Sequence, residues 1–403
     1  MCDEVGTPTG RATKTHQKAR EIVDADYNRR ILAPPDSPSK VVGGNGPSDS
    51  TTNVASAATN VGATTTAATP GQASAFVLGA KADWFWLGPG FALATMATMG
   101  ILFAAHHAET ATSLAFALTL MFVGPHYAAT YRRAFSSVDI LRAHPIVTIV
   151  VPIILLGVVL ASLRWPRVVG APFFATYVLW SGYHYSGQSL GLALLFPLRQ
   201  GARLSPAEKR LVAIPLYSSW VLSIAGLFAL DETARNPAYV LTRQLFGDVH
   251  LPRAALALGT ILVAASLASV AILAKQRRRS GRPLPHAVWA VVIGQLIWFC
   301  AGAWNPFLNI VLVPLFHSAQ YLALTGWHQT RGRSVTHFTG YFVTVLLLGL
   351  VVNPGLMWLG RSFAGEGPVV AAAVLSFINL HHFLMDGRIW RLRDRRVAAS
   401  FGA

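Results

Sequence analysis

From Trp84 to Arg388 the chain is a succession of apolar runs near twenty residues long, separated by short polar stretches rich in arginine. About twenty residues at 1.5 Å per residue is the length an α-helix needs to cross the hydrocarbon of a bilayer. A helix also satisfies its backbone hydrogen bonds internally, which lipid demands. The pattern therefore predicts an all-α fold, a polytopic transmembrane helix bundle of about ten spans. The runs fall at 84–105, 109–131, 145–163, 168–190, 211–230, 254–274, 287–304, 305–327, 338–360 and 368–388. Only Trp304, Asn305 and Pro306 separate the seventh from the eighth, as in a tight hairpin.

Composition supports the same class. Only 12% of the residues are charged and 53% are hydrophobic, against about 25% charged in an ordinary soluble domain. The formal net charge of +16 raises the question of nucleic acid, but the arginines cluster in the short connections between apolar runs. That is a signal of membrane orientation, and no nucleic-acid partner is expected. With the N-terminus placed inside, alternate connections hold twenty Lys and Arg on one side and six on the other. The bias predicts both termini cytoplasmic, a multi-pass protein of the cell (inner) membrane.

Three regions follow. Residues 1–80 form a polar, Ser/Thr/Ala/Gly-rich tail too poor in apolar surface to offset its ordering entropy, and are expected to be disordered. Residues 81–390 form the helical domain, and 391–403 a basic cytoplasmic tail. Cys2 and Cys300 have no CxxC neighbour, so neither a thiolate metal site nor a disulfide framework is indicated.

Ionisable residues inside a span are costly, face the bundle interior and mark function. His250, His286, His328 and His337 fall in or beside loops, and His106, His107 and His144 at span ends. Five lie within the spans. His126 lies in VGPHYAATYRR, His184 in WSGYHYSGQSLGL, His317 in PLFHSAQYLALTGW, and His381 and His382 in INLHHFLMDGRIW. They occupy spans two, four, eight and ten, all running in the same direction. Counted back from the cytoplasmic boundaries, they share one layer within about 12 Å of depth. His381 and His382 differ by about 100° around the axis, so one of the two faces inward.

Each segment carries a polar partner three or four residues on, on the same helical face: Thr130, Gln188, Gln320 with Tyr321, and Asp386. Metal-bound imidazoles commonly donate their second N–H to such an acceptor. His126, His184, His317, His381 and His382 are thus the candidate metal ligands. Gln188, Gln320 and Asp386 are candidate cofactor-binding residues, and Tyr185 and Tyr321 candidate catalytic residues. Arg388, Arg391 and Trp390, just beyond, read as an interfacial anchor.

Imidazoles without thiolates suit iron, zinc, copper or nickel. Non-haem iron is the leading expectation, with haem or zinc as alternatives. A site within the bilayer implies a hydrophobic small-molecule substrate, such as an isoprenoid, a carotenoid or another lipid. The segments YHYSGQSL (183–190) and PLFHSAQYL (314–322), with His126 and His382, resemble the Brp/Blh-type carotene dioxygenases. That resemblance implies histidine-held iron and oxidative cleavage of a polyene. The family's histidines are typically followed by Gly and Asp, and the acid is missing after His126, His184 and His317. Two other functions stay open: a bis-histidine b-type haem protein passing electrons, and a transporter with a buried His/Asp proton relay.

Overall fold

The computed structural model describes residues 76–136, 138–229, 251–305, 307–331, 334–351 and 367–401. Residues 1–75 of the expected tail and the end of the expected ninth span lie outside them. The described residues are helical, with no strand among them. In chain order the helices are α1 Ala80–Leu87, α2 Gly90–Ala104, α3 Ala108–Ala134, α4 Val138–Ala143, α5 Ile146–Arg164, α6 Ala171–Arg199 and α7 Pro206–Ala229. There follow α8 Arg253–Arg279, α9 His286–Trp304, α10 Leu308–Thr330, α11 Val335–Leu350, α12 Gly367–Ile389 and α13 Arg395–Ser400.

Seven of these, α3, α5, α7, α8, α9, α10 and the Val369–Ile389 stretch of α12, are long and apolar enough to cross a membrane. The pair α1 and α2, bent by 54° at Gly88-Pro89, makes an eighth if it is one broken span. Two expected runs behave differently. Helix α6 has 29 residues, length to spare, but it spends its polarity on Ser181, His184, Ser186, Gln188 and Ser189. Helix α11 has 16 residues within the described part of the chain.

Polarity is distributed inside out relative to a water-soluble protein. Helix α5 exposes Ile146, Ile149, Ile153 and Leu160 by 56–67%, a continuous apolar surface that water disfavours and lipid does not. Buried instead are Asp83, Gln295, Ser186, Ser219 and four histidines. One core cluster joins Phe196, Leu216 and Val291 between α6, α7 and α9. A second joins Phe316, Trp298, Leu380 and Phe383 between α9, α10 and α12.

Local chemistry sets several boundaries. Ser205 and Glu208 form a capping box at the start of α7, the Ser205 N–H donating to Glu208 at 2.7 Å and the Glu208 N–H to the Ser205 hydroxyl at 3.3 Å. Glu208 also pairs with Arg277 at 2.9 Å, tying α7 to α8. Glycines with positive φ, Gly201 (73°) and Gly281 (71°), end α6 and α8. Helices α3 and α11 cross where Gly124 meets Gly349: a Cβ on Gly124 would lie 2.9 Å from the Gly349 carbonyl oxygen. This approach fixes α3 two residues before His126.

Both ends of the described chain are tied down. Buried Asp83 accepts the backbone N–H groups of Val77 and Leu78 at 2.9 and 2.8 Å. Residues 76–80, grouped by sequence with the tail, therefore pack onto the bundle, and Val77 is buried. Beyond α12 the chain turns into α13 and buries Phe401, which lies parallel to Trp327 (ring centroids 6.2 Å apart) and against Trp390. The basic segment after 391 thus packs against the bundle up to Phe401. The short sequence offered no apolar periodicity to signal this. His328, read by sequence as a loop residue, sits at the end of α10 and meets the Ser400 hydroxyl at 2.9 Å.

Candidate metal centre

Four helices each contribute one imidazole to a common point: His126 from α3, His184 from α6, His317 from α10 and His382 from α12. One ring nitrogen from each lies within 4.8 Å of all the others. His126 and His382 are 4.3 Å apart by ring centroid, His126 and His317 4.8 Å, and His184 lies 5.1 and 5.0 Å from His317 and His382. His382, His317 and His126 are 0, 1 and 2% exposed, and the side chain of His184 9%.

Aromatic packing holds the rings. His317 stacks on Tyr185 at 4.2 Å and His184 on Phe383 at 4.4 Å, with interplanar angles of 29° and 22°. The His126 Nδ1 is 3.1 Å from the Ser318 hydroxyl, which leaves Nε2 to face the cluster. That Nε2 has no hydrogen-bond partner. Neither do Nε2 of His184, nor both ring nitrogens of His317 and of His382. Each buried polar atom left unpaired costs about 1–3 kcal/mol, a cost that a bound cation would offset at the nitrogens it meets. The donor set fits a cation. Metal–imidazole bonds of about 2.0–2.1 Å place ligand nitrogens no more than about 4.2 Å apart, a few tenths of an ångström per side chain inside the observed spread. These four histidines can hold a metal ion.

A carboxylate stands at the edge of the cluster. The Asp386 Oδ2 is 3.4 Å from His382 Nε2 and 4.0 Å from His184 Nε2. Its Oδ1 accepts hydrogen bonds from the hydroxyls of Thr130 and Tyr321, both at 3.0 Å. Those hydroxyls lie 2.6 Å from each other, and the Trp390 indole N–H donates to Tyr321 at 2.9 Å. Thr130, Tyr321 and Asp386 each follow a cluster histidine by four residues, so one helical turn carries the histidine layer into a hydroxyl–carboxylate layer beneath it.

Four other sequence-derived candidates sit as follows. His381 does not join the cluster: its Nε2 is 2.9 Å from the Val147 carbonyl and its Nδ1 3.1 Å from the Tyr131 hydroxyl. It faces α5 and α3, while its neighbour His382, about 100° around the helix, faces the cluster. Gln320 is occupied by the protein at both ends of its amide, accepting from Gln188 at 2.9 Å and donating to the Leu87 carbonyl at 2.8 Å. Gln188 donates to Gln320 and, at 3.3 Å, to the His317 carbonyl, so the pair braces α6, α10 and α1, while the Gln188 Oε1 stays without a partner on the cavity lining. Tyr185 supports His317 through its ring face. Sequence reasoning missed Ser318, Phe383 and the inward role of Trp390. Nothing in the sequence marks Ser318, whereas Trp390 follows Asp386 by the same four residues as the other partners.

A cavity of about 460 Å³ opens beside the cluster and reaches His184, Asp386 and Tyr321. Much of its wall is apolar, including Trp180, Leu192, Leu195 and Phe383. The dimensions suit a small organic ligand.

No protein-family model, curated protein or solved structure matches the chain. The reading of its function rests on the site.

Proposed function

We propose that the protein is an integral membrane metalloprotein, a non-haem-iron oxygenase acting on a hydrophobic substrate such as an isoprenoid, carotenoid or other lipid. The observation that carries this reading is the convergence of unpartnered nitrogens from four buried histidines beside an apolar cavity. The resemblance of YHYSGQSL and PLFHSAQYL to the Brp/Blh-type carotene dioxygenases points the same way. So does the absence of thiolate from the donor set, since imidazole suits iron as well as zinc.

His126, His184, His317 and His382 would hold the metal. Bound iron would supply dioxygen activation. The chain does the rest. Tyr185 and Phe383 fix two imidazole planes, and Ser318 sets the His126 tautomer. Asp386 keeps Oδ2 towards His382 and His184 while Tyr321 and Thr130 hold Oδ1, so a proton can pass between the Asp386 carboxylate and the Tyr321 hydroxyl at the cavity wall. The apolar wall excludes water from the reacting carbon.

A b-type haem reading fits less well. Ring centroids 4.3–5.1 Å apart leave no slot for a macrocycle unless the rings part. A proton-relaying transporter is the second reading, favoured by the Asp386–Thr130–Tyr321 network alone. We further propose ten spans with both termini cytoplasmic, supported by the charge bias of the connections.

Metal analysis of detergent-purified protein tests the central claim, with His184→Ala, His317→Ala and His382→Ala alongside. Near-stoichiometric iron in the wild type, lost in all three variants, is the expected result. Metal content that is negligible, or unchanged by every substitution, refutes it and leaves the transporter reading.

A further inference from the structure

The cavity beside the histidines is lined by two chemically different kinds of residue. Its exposed lining residues are Tyr183, Gly387 and Arg388, which mark its mouth. Arg391, half-buried, lines it beside Arg388. Among the described residues neither arginine has a carboxylate partner within ion-pair distance; the Arg391 Nε donates only to the Gly387 carbonyl, at 2.8 Å. Burial, and then the charges of Arg388 and Arg393, push the Arg391 guanidinium's pKa down. The rest of its lining includes the apolar Trp180, Leu192, Leu195 and Phe383, together with His184 and Asp386.

Orientation alone does not explain this placement. Arginines that only mark the membrane boundary need to lie outside the hydrocarbon, as exposed Arg393 does, and need not line a cavity. Two guanidiniums with no carboxylate partner among the described residues, lining a largely apolar cavity, complement an anion, which they can hold by charge-assisted, bidentate hydrogen bonds. An apolar body attached to that anion would fill the remainder.

The geometry points to a single-chain amphiphile with an anionic headgroup, a fatty carboxylate or a long-chain alkyl or prenyl phosphate, as the occupant of this cavity. Its head lies between Arg388 and Arg391 and its chain runs towards His184 and Asp386. This names the substrate class of the proposed oxygenase and rests on that reading. From Arg388 back to His382 is six residues of α12, about 9 Å along the axis. The position presented to the cluster is therefore part-way down the chain rather than next to the headgroup.

Binding to the full-length, detergent-purified protein tests the assignment, followed by fluorescence of the cavity tryptophans Trp180 and Trp390. The probes are palmitate, hexadecyl phosphate and the neutral hexadecanol. One or both anions should bind about ten-fold or more tightly than the alcohol, and whichever binds better identifies the headgroup. Combining Arg388→Gln with Arg391→Gln should remove that advantage while leaving hexadecanol affinity and metal content unchanged. Arg393→Gln, with the same loss of charge outside the cavity, should keep it. Hexadecanol binding as tightly as both anions overturns the inference, and so does an anion preference that survives the double substitution or falls equally with Arg393→Gln.

The two proposals fail separately. Anion binding that depends on both arginines in a protein with no metal sinks the oxygenase and leaves the amphiphile site. Stoichiometric metal with arginine-independent binding does the reverse. His317→Ala, outside the cavity lining, should lose metal and retain the anion.

Discussion

Replacing Ser318 by alanine separates a metal centre from a knot of packed histidines. The Ser318 hydroxyl is the one partner of His126 Nδ1, at 3.1 Å, and Nε2 of the same ring has none. In a metal centre the serine holds the ring in the tautomer that presents Nε2 to the ion, and removing such a support costs about 10–100-fold in metal affinity. That range corresponds to about 1.4–2.7 kcal/mol. Thermal stability should report the same loss. At free metal 100 times the dissociation constant, binding stabilises the fold by about 2.7 kcal/mol, and after a 100-fold weakening by only about 0.4 kcal/mol. The assay is competition against a chromogenic chelator in detergent, with melting curves recorded with and without metal. If the histidines are merely packed, Ser318→Ala still orphans a buried nitrogen, at about 1–3 kcal/mol, but the melting temperature falls equally in both conditions. Equal falls, with unaltered metal uptake, would falsify the assignment of His126 Nε2 as a ligand.

The adjacent histidines should behave oppositely: His382→Ala should lose the metal, whereas His381→Ala should keep it and lose about 1 kcal/mol of stability per hydrogen bond to Tyr131 and Val147, read by metal analysis and thermal denaturation of the pair. Asp386→Asn keeps the shape but removes the charge facing His382 and His184; metal affinity measured by the same competition should fall about ten-fold, and an unchanged value would separate Asp386 from the centre. Gly124→Val should force α3 and α11 apart, because even a Cβ there would lie 2.9 Å from the Gly349 carbonyl oxygen; a loss of about 1–3 kcal/mol and poor recovery in detergent are expected, with wild-type melting as the contrary result. Glu208→Ala removes both the α7 cap and the Arg277 ion pair, and a loss of about 1–3 kcal/mol on thermal denaturation is expected.

Much of this architecture is legible in the sequence because bilayer physics is written in one dimension. A twenty-residue apolar run needs no knowledge of its neighbours to be read as a helix, and ionisable residues inside such runs stand out for the same reason. The four-residue spacing of Thr130, Tyr321 and Asp386 from their histidines likewise follows from helical geometry. What cannot be read this way depends on rotation about a helix axis and on distant partners. His381 and His382 are indistinguishable until α5 supplies the Val147 carbonyl that captures one of them. That the two glutamines face each other is likewise hidden in the sequence. Gly124 and Gly349 are unremarkable apart and decisive together. Phe401 becomes a packed residue only because Trp327 and Trp390 lie beneath it.

The polarity of α6 ties these points together. A helix among apolar neighbours gains nothing from Ser181, His184, Ser186, Gln188 and Ser189 unless the bundle uses them, since each displaces apolar contact and must be satisfied. Most are satisfied internally. The Ser181 hydroxyl donates to the Tyr177 carbonyl, Ser186 accepts from Gln295 while donating to the Leu216 carbonyl, and Gln188 braces Gln320. The His184 Nε2 is left over, together with the Gln188 Oε1 and the buried Ser189 hydroxyl. The same remainder recurs on α3, α10 and α12, where neighbouring serine, threonine and asparagine side chains have all found partners while ring nitrogens of His126, His317 and His382 have not. One ring nitrogen of each imidazole lies within 4.8 Å of the others, where a single cation would serve all four.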